Sequence, residues 1–130
     1  MSLLFDASSI FEAIVEKKVS VLQGNYTIDL AVYEVGNTLW KRMSLLRDIG
    51  DAEVAKLVLL VKRVLKLLKK VKLDCQEEEI IKIAARLGVT FYDASYAFAA
   101  KNNNLTLVTE DEKLRERAKS YVNTLSLREI

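Results

Sequence analysis

Leu105-Thr106-Leu107-Val108-Thr109-Glu110-Asp111-Glu112-Lys113-Leu114 is the stretch on which the fold turns. Its first four residues are apolar or β-branched and follow the turn Asn102-Asn103-Asn104, so they read as a buried strand. Thr109 with Glu112 reads as a capping box that opens a helix over about Glu112 to Lys119. A strand that runs straight into a helix is the repeating unit of α/β domains.

The unit recurs on both sides of this stretch. Leu3-Leu4-Phe5 is a short buried strand, and Ser9 with Glu12 starts a helix to about Lys17. After the turn at Gly24-Asn25, Tyr26-Thr27-Ile28 is a second strand, followed by a helix from about Ala31 to Arg42 with apolar Val32, Val35, Leu39 and Trp40. Val71-Lys72-Leu73 is a third strand. Asp74 with Glu77 caps the next helix, whose stripe of Ile80, Ile81, Ile83, Ala84 and Leu87 is closed by Gly88. Thr90 and Asp93 begin another helix to about Lys101, and Val122 to Leu127 is a last strand. Val19 to Leu22 is open between helix and extension. Gly50-Asp51 introduces the longest helix, about Asp51 to Lys69; its run Leu57-Val58-Leu59-Leu60-Val61 places apolar residues on more than one face, for internal packing or for a partner. The alternation predicts an α/β fold around a central, mainly parallel sheet, in one domain over residues 1–130.

Composition narrows the chemistry. The chain has no histidine, which excludes Ser/His and Cys/His catalysis and most zinc sites. Its single cysteine, Cys75, cannot form an internal disulfide, and a cytoplasmic location is the expectation. The first residues lack a basic signal region, and Lys62-Arg63 cuts the richest apolar run far short of a membrane span. The net charge of +2 is too small to name a partner, and the lysine-rich run from Lys56 to Lys72 reads as a solvated helix face. Any reaction must come from carboxylates, lysines, hydroxyls or a bound hard metal.

In parallel sheets, sites form at the carboxyl ends of strands. Asp6 follows the first strand, Asp93 stands at a helix start, and Asp111 follows the late strand. Each one alone is explained by capping and by the helix dipole, effects of a few tenths to about 1 kcal/mol. Glu34 is different, because it interrupts an apolar helix where a lone buried charge is costly. If the strands adjoin, these carboxylates converge, and their repulsion calls for protonation or a cation. Mg²⁺ or Mn²⁺ suits such an oxygen-only set. Ser8, Asn37 and Thr109 are candidate hydrogen-bonding partners of the acids, and Lys41 and Arg42, two turns beyond Glu34, are candidate contacts to a substrate backbone.

At these residues the chain resembles the PIN-domain family, particularly the VapC-type toxins of VapBC toxin–antitoxin pairs. The resemblance spans nearly the whole chain. It rests on Leu4-Phe5-Asp6-Ala7-Ser8, Glu34-Val35-Gly36-Asn37-Thr38-Leu39, Tyr92-Asp93-Ala94-Ser95-Tyr96 and Leu107-Val108-Thr109-Glu110-Asp111-Glu112-Lys113-Leu114. It implies a three-layer α/β/α fold and a Mg²⁺- or Mn²⁺-dependent endoribonuclease whose acidic quartet is Asp6, Glu34, Asp93 and Asp111, with Ser8 and Thr109 as hydroxyl partners. It also implies an RNA substrate, a homodimer and an antitoxin protein as partner. Glu110 and Glu112 flank Asp111, which leaves open whether either shares its role.

Two other classes compete. A receiver-like phosphoacceptor domain wants an adjacent acidic pair after the first strand and a lysine ending a late one; here Asp6 stands alone and Thr109-Glu110-Asp111 fills the late position. A catalytically silent RNA- or protein-binding module has no reason to maintain clustered repulsion.

Overall fold

The structure is a computed structural model describing residues 2–130. Five strands, β1 (Leu3–Phe5), β2 (Tyr26–Thr27), β3 (Lys69–Lys70), β4 (Thr106–Val108) and β5 (Thr124–Leu125), form one sheet in the order β3-β2-β1-β4-β5. Every neighbouring pair is parallel. The helices are α1 (Ala7–Val15), α2 (Leu30–Trp40), α3 (Asp51–Leu67), α4 (Glu77–Leu87), α5 (Phe91–Asn102) and α6 (Glu112–Ala118), and the architecture is three-layer α/β/α.

The two longest strands lie at the centre. Leu3, Leu4 and Phe5 pair with Thr106, Leu107 and Val108, and all except Thr106 are buried. Strands covered on both faces need a continuous apolar run, which is what both segments carry. The strand order reverses between β1 and β4, so the crevice at their carboxyl ends is the topological switch point.

The boundaries depart from the sequence reading in physically instructive ways. The third strand is Lys69–Lys70 rather than Val71-Lys72-Leu73, because Leu68 is already extended (φ −97°, ψ 138°) as the chain leaves α3. Both strand lysines are exposed on the sheet edge, so no apolar signal marks them. Ser9 does not cap α1: the chain turns directly from β1 into the helix, and Asp6 accepts from the Ser9 backbone N–H instead. Gln76, without a side-chain bond, stands where Asp74 was expected to cap α4, and Asp111 caps α6 in place of Thr109. The second helix ends at Trp40 and passes into a π-turn over Lys41–Leu45. Val19–Leu22 is a 3₁₀ turn, and Val122 to Leu127 holds only the two-residue β5 before a closing 3₁₀ turn, Leu127–Glu129.

On α3, Val61, Val64 and Leu65 are buried in the core while Val58 and Leu59 stay exposed, so the two-faced run is split between core and surface. No helix among the described residues is long and apolar enough to cross a membrane.

Candidate active site

Asp6 is the anchor of the site. It leaves β1 in extended conformation (φ −85°, ψ 177°) and is only 5% exposed. Its Oδ1 accepts from the Ser9 backbone N–H at 2.9 Å and from Ser8 Oγ at 2.7 Å, and its Oδ2 accepts from Thr109 Oγ1 at 2.5 Å. Ser9 Oγ lies within reach of the Asp6 and Val108 carbonyls. Burial raises the Asp6 pKa, and the bonds from Thr109, Ser9 and Ser8 pull it back. The same hydroxyls stitch the two strand ends together: the Glu110 N–H donates to Ser8 Oγ at 3.0 Å and the Asp111 N–H to Thr109 Oγ1 at 3.1 Å.

The other three acids arrive from separate elements. Glu34, in mid-α2, accepts from the Tyr96 hydroxyl of α5 at 2.7 Å. Asp93 lies in the first turn of α5, its backbone N–H capped by Thr90 Oγ1 at 3.0 Å. Asp111 caps α6, with Oδ1 accepting from the Leu114 N–H at 3.1 Å. Asp6, Glu34, Asp93 and Asp111 line one pocket of about 270 Å³ with Ser8, Asn37, Thr38 and Lys41. Desolvation and then the charges of Asp6, Asp111 and Glu34 push the Asp93 carboxyl from 3.8 up to about 6, against a smaller opposing bond with Thr90.

The remaining sequence candidates divide. Lys41 and Asn37 face the acids. Arg42 is held by Asp48, with Nε 2.9 Å and 3.0 Å from its carboxylate oxygens, and lies over the Phe11 ring. Glu110 accepts from the Leu127 N–H, tying down the closing turn, and neither it nor Glu112 lines the acidic pocket. As placed, no three acidic side chains among the described residues are grouped tightly enough to hold a metal ion between them.

A crevice of acids at the switch point of a parallel sheet agrees with one family comparison, in which the PIN domain model matches residues 3–120. The chain belongs to the PIN-domain family. It is 33% identical over 126 residues to the exonuclease VapC9 of Pyrobaculum aerophilum, covering 95% of this chain and 91% of that protein. It is 34% identical to the ribonuclease VapC3 of the same organism, over 94% of this chain and 98% of that one. The crystal structure of PAE2754 from Pyrobaculum aerophilum superposes with a TM-score of 0.84 at 30% identity, over 99% of this chain and 92% of that one.

Two residues of this PIN domain escaped the reading of its sequence. Tyr96 is buried, and its hydroxyl is held far above its ordinary pKa by burial, by its bond to Glu34 and by the charges of Glu34 and Asp6. It is thus a committed donor to Glu34. Its position three residues after Asp93, on the same helical face, was the available signal. Arg115 donates to the Thr109 carbonyl at 2.5 Å and fixes the end of β4 from behind; nothing in its spacing pointed there.

Proposed function

We propose that this PIN domain is a metal-dependent endoribonuclease, the toxin of a VapBC-type toxin–antitoxin pair. The observation that carries the reading is the meeting of four carboxylates, from β1's end, α2, α5 and α6, in a single pocket. The ribonuclease and exonuclease relatives support a nuclease, and the absence of histidine supports one that works through a metal.

The donor set suits Mg²⁺ or Mn²⁺, since every candidate ligand is a carboxylate oxygen. The protein's own bonds leave lone pairs on each acid, and the repulsion concentrated on Asp93 is of the kind a cation relieves. Asp6, Glu34, Asp93 and Asp111 would hold the ion once their side chains are drawn closer around it than they stand without it. When bound, a divalent ion there supplies an activated water and neutralises charge on a phosphodiester. The chain's own part is positional. Ser8, Ser9 and Thr109 lock the Asp6 carboxylate, Tyr96 locks Glu34, and Lys41 at the rim meets the substrate's phosphate backbone. The exposed Trp40, Leu45, Leu46, Val58 and Leu59 offer apolar surface to a second copy or to an antitoxin protein, and a cytoplasmic setting follows from an RNA target.

Incubation with single-stranded RNA tests the reaction. Cleavage is expected with Mg²⁺ or Mn²⁺ and none in EDTA; equal activity in EDTA would end the metal mechanism. A covalently closed circular RNA separates the two activities named among the relatives. An endonuclease opens the circle, whereas an exonuclease leaves it intact.

A further inference from the structure

The acidic pocket does not end at Asp93 and Asp111. These two residues also form one wall of an adjoining pocket of about 130 Å³, bounded by Gly88, Thr90, Lys113 and Arg117. The two acids are shared with the active site, and two cations complete the charged lining. Lys113 and Arg117 lie four residues apart on α6, so they project from the same helical face. Both are exposed, and among the described residues neither takes part in an ion pair.

Lys113 is not placed where a helix alone would place it, and Arg117, in the last turn of α6, is not left loose. Lys113 sits in the first turn of α6, the end where a positive charge is disfavoured by the backbone dipole. Arg117 is anchored across the pocket by donating to the Gly88 carbonyl. Gly88 permits this approach: its φ is +69°, and a Cβ there would stand 3.1 Å from an Arg117 guanidinium nitrogen. A guanidinium fixed through one N–H keeps others for an anion.

We infer that Lys113 and Arg117 hold the substrate phosphate adjacent to the scissile one, so that RNA runs from Lys41 across the acids and out between α6 and the Gly88 turn. The inference rests on the nuclease reading above and adds the path of the strand and the residues that grip it. Phosphate contacts position a nucleic acid without reading its sequence, so these residues set affinity and register, not base preference.

The test uses steady-state cleavage of a short single-stranded RNA in Mn²⁺, with equilibrium binding of the same RNA followed by fluorescence anisotropy. Lys113→Gln is expected to raise KM about tenfold while the loss in kcat stays small, and to reduce the salt dependence of log K by about 0.7. Lys113→Arg restores both. An RNA carrying an uncharged methylphosphonate next to the cleaved bond costs the wild type a similar factor or more, and costs Lys113→Gln less, because only the Arg117 contact is then left to lose. An unchanged KM and salt slope in Lys113→Gln, or fully additive losses, would overturn the inference while leaving the nuclease reading intact. Should no RNA be cleaved, the nuclease reading falls, and the anisotropy arm decides alone. Tenfold weaker binding by Lys113→Gln then upholds a phosphate site, and equal binding removes it.

Discussion

The two halves of the acidic pocket are built on different terms. On the strand side, Asp6 and Asp111 are helix caps: each carboxylate accepts a backbone N–H that the helix leaves unpaired, and Asp6 adds hydroxyl donors from Ser8, Ser9 and Thr109. On the helix side, Glu34 holds one tyrosine hydroxyl and caps nothing, and Asp93, whose helix is capped by Thr90, carries the repulsion of the other three. An acid of the first kind has structural work whether or not an ion is present. Asp93, of the second kind, is maintained against its own electrostatics. Substitutions should therefore separate stability from activity differently in each half.

The largest effect is expected at Asp6. Asp6→Ala removes the α1 cap and strands the Ser9 N–H and the Thr109 hydroxyl in a buried site. A lost cap costs about 1–2 kcal/mol and an orphaned buried donor about 1–3 more. Relief of the buried charge offsets part, leaving a net loss of roughly 2–3 kcal/mol and a melting point lower by several degrees. RNA cleavage should vanish as well. Asp6→Asn keeps an oxygen for the Ser9 N–H and should lose activity with much less destabilisation. Melting curves check both, and an Asp6→Ala protein as stable as the wild type would break the comparison on the strand side.

Asp93→Asn should do the opposite to stability. The Asp93 pKa is raised in the folded protein, from 3.8 to about 6, so between these values the folded state keeps a proton that the unfolded chain releases. Its contribution to stability is thus fully present below about pH 4 and is lost as pH rises through 6. Without metal at pH 7, Asp93→Asn is expected to melt a few degrees higher than wild type, with the gap closing by pH 4, and to be inactive at any metal concentration. Saturating Mn²⁺ should raise the wild-type midpoint and move the variant's less. A variant that melts lower than wild type at pH 7 would show that Asp93 has a structural partner after all.

This division also explains what could be read in advance. The central strands were legible because burial on both faces forces continuous apolar runs, and Leu3-Leu4-Phe5 and Leu105 to Val108 have them. The edge strand Lys69–Lys70 was not, because two exposed lysines carry no such constraint. The acids were singled out by their places at helix starts or within an apolar run, and all four line one pocket. Capping was assigned to the wrong residues, Ser9 and Thr109, since a hydroxyl and a carboxylate a few residues apart cap equally well on paper. In the fold the carboxylates Asp6 and Asp111 take the amides, and Ser9 and Thr109 turn inward to bond the Asp6 region. Tyr96 was missed because its partner lies 62 residues away on another helix. The only local trace was its place three residues after Asp93, which puts it on the face of an acid but does not name Glu34 as its partner.

The smallest predicted effect sharpens the contrast between the halves. Tyr96→Phe keeps the buried ring and deletes only the hydroxyl that holds Glu34, so the stability change should be about 1 kcal/mol. The deleted group positions a proposed metal-binding acid, and losses of such partners weaken metal affinity or activity by about 10–100-fold. The expected readout is a half-saturating Mn²⁺ concentration for RNA cleavage raised at least tenfold, a quantity that loosened packing alone would not move. Ser8→Ala deletes a comparable hydroxyl from Asp6, but the Ser9 N–H and Thr109 still hold that carboxylate. Its Mn²⁺ requirement should rise by a smaller factor. Equal shifts in the two variants would mean that the strand-side acid is no better fixed than the helix-side one, and that capping confers no advantage on the site.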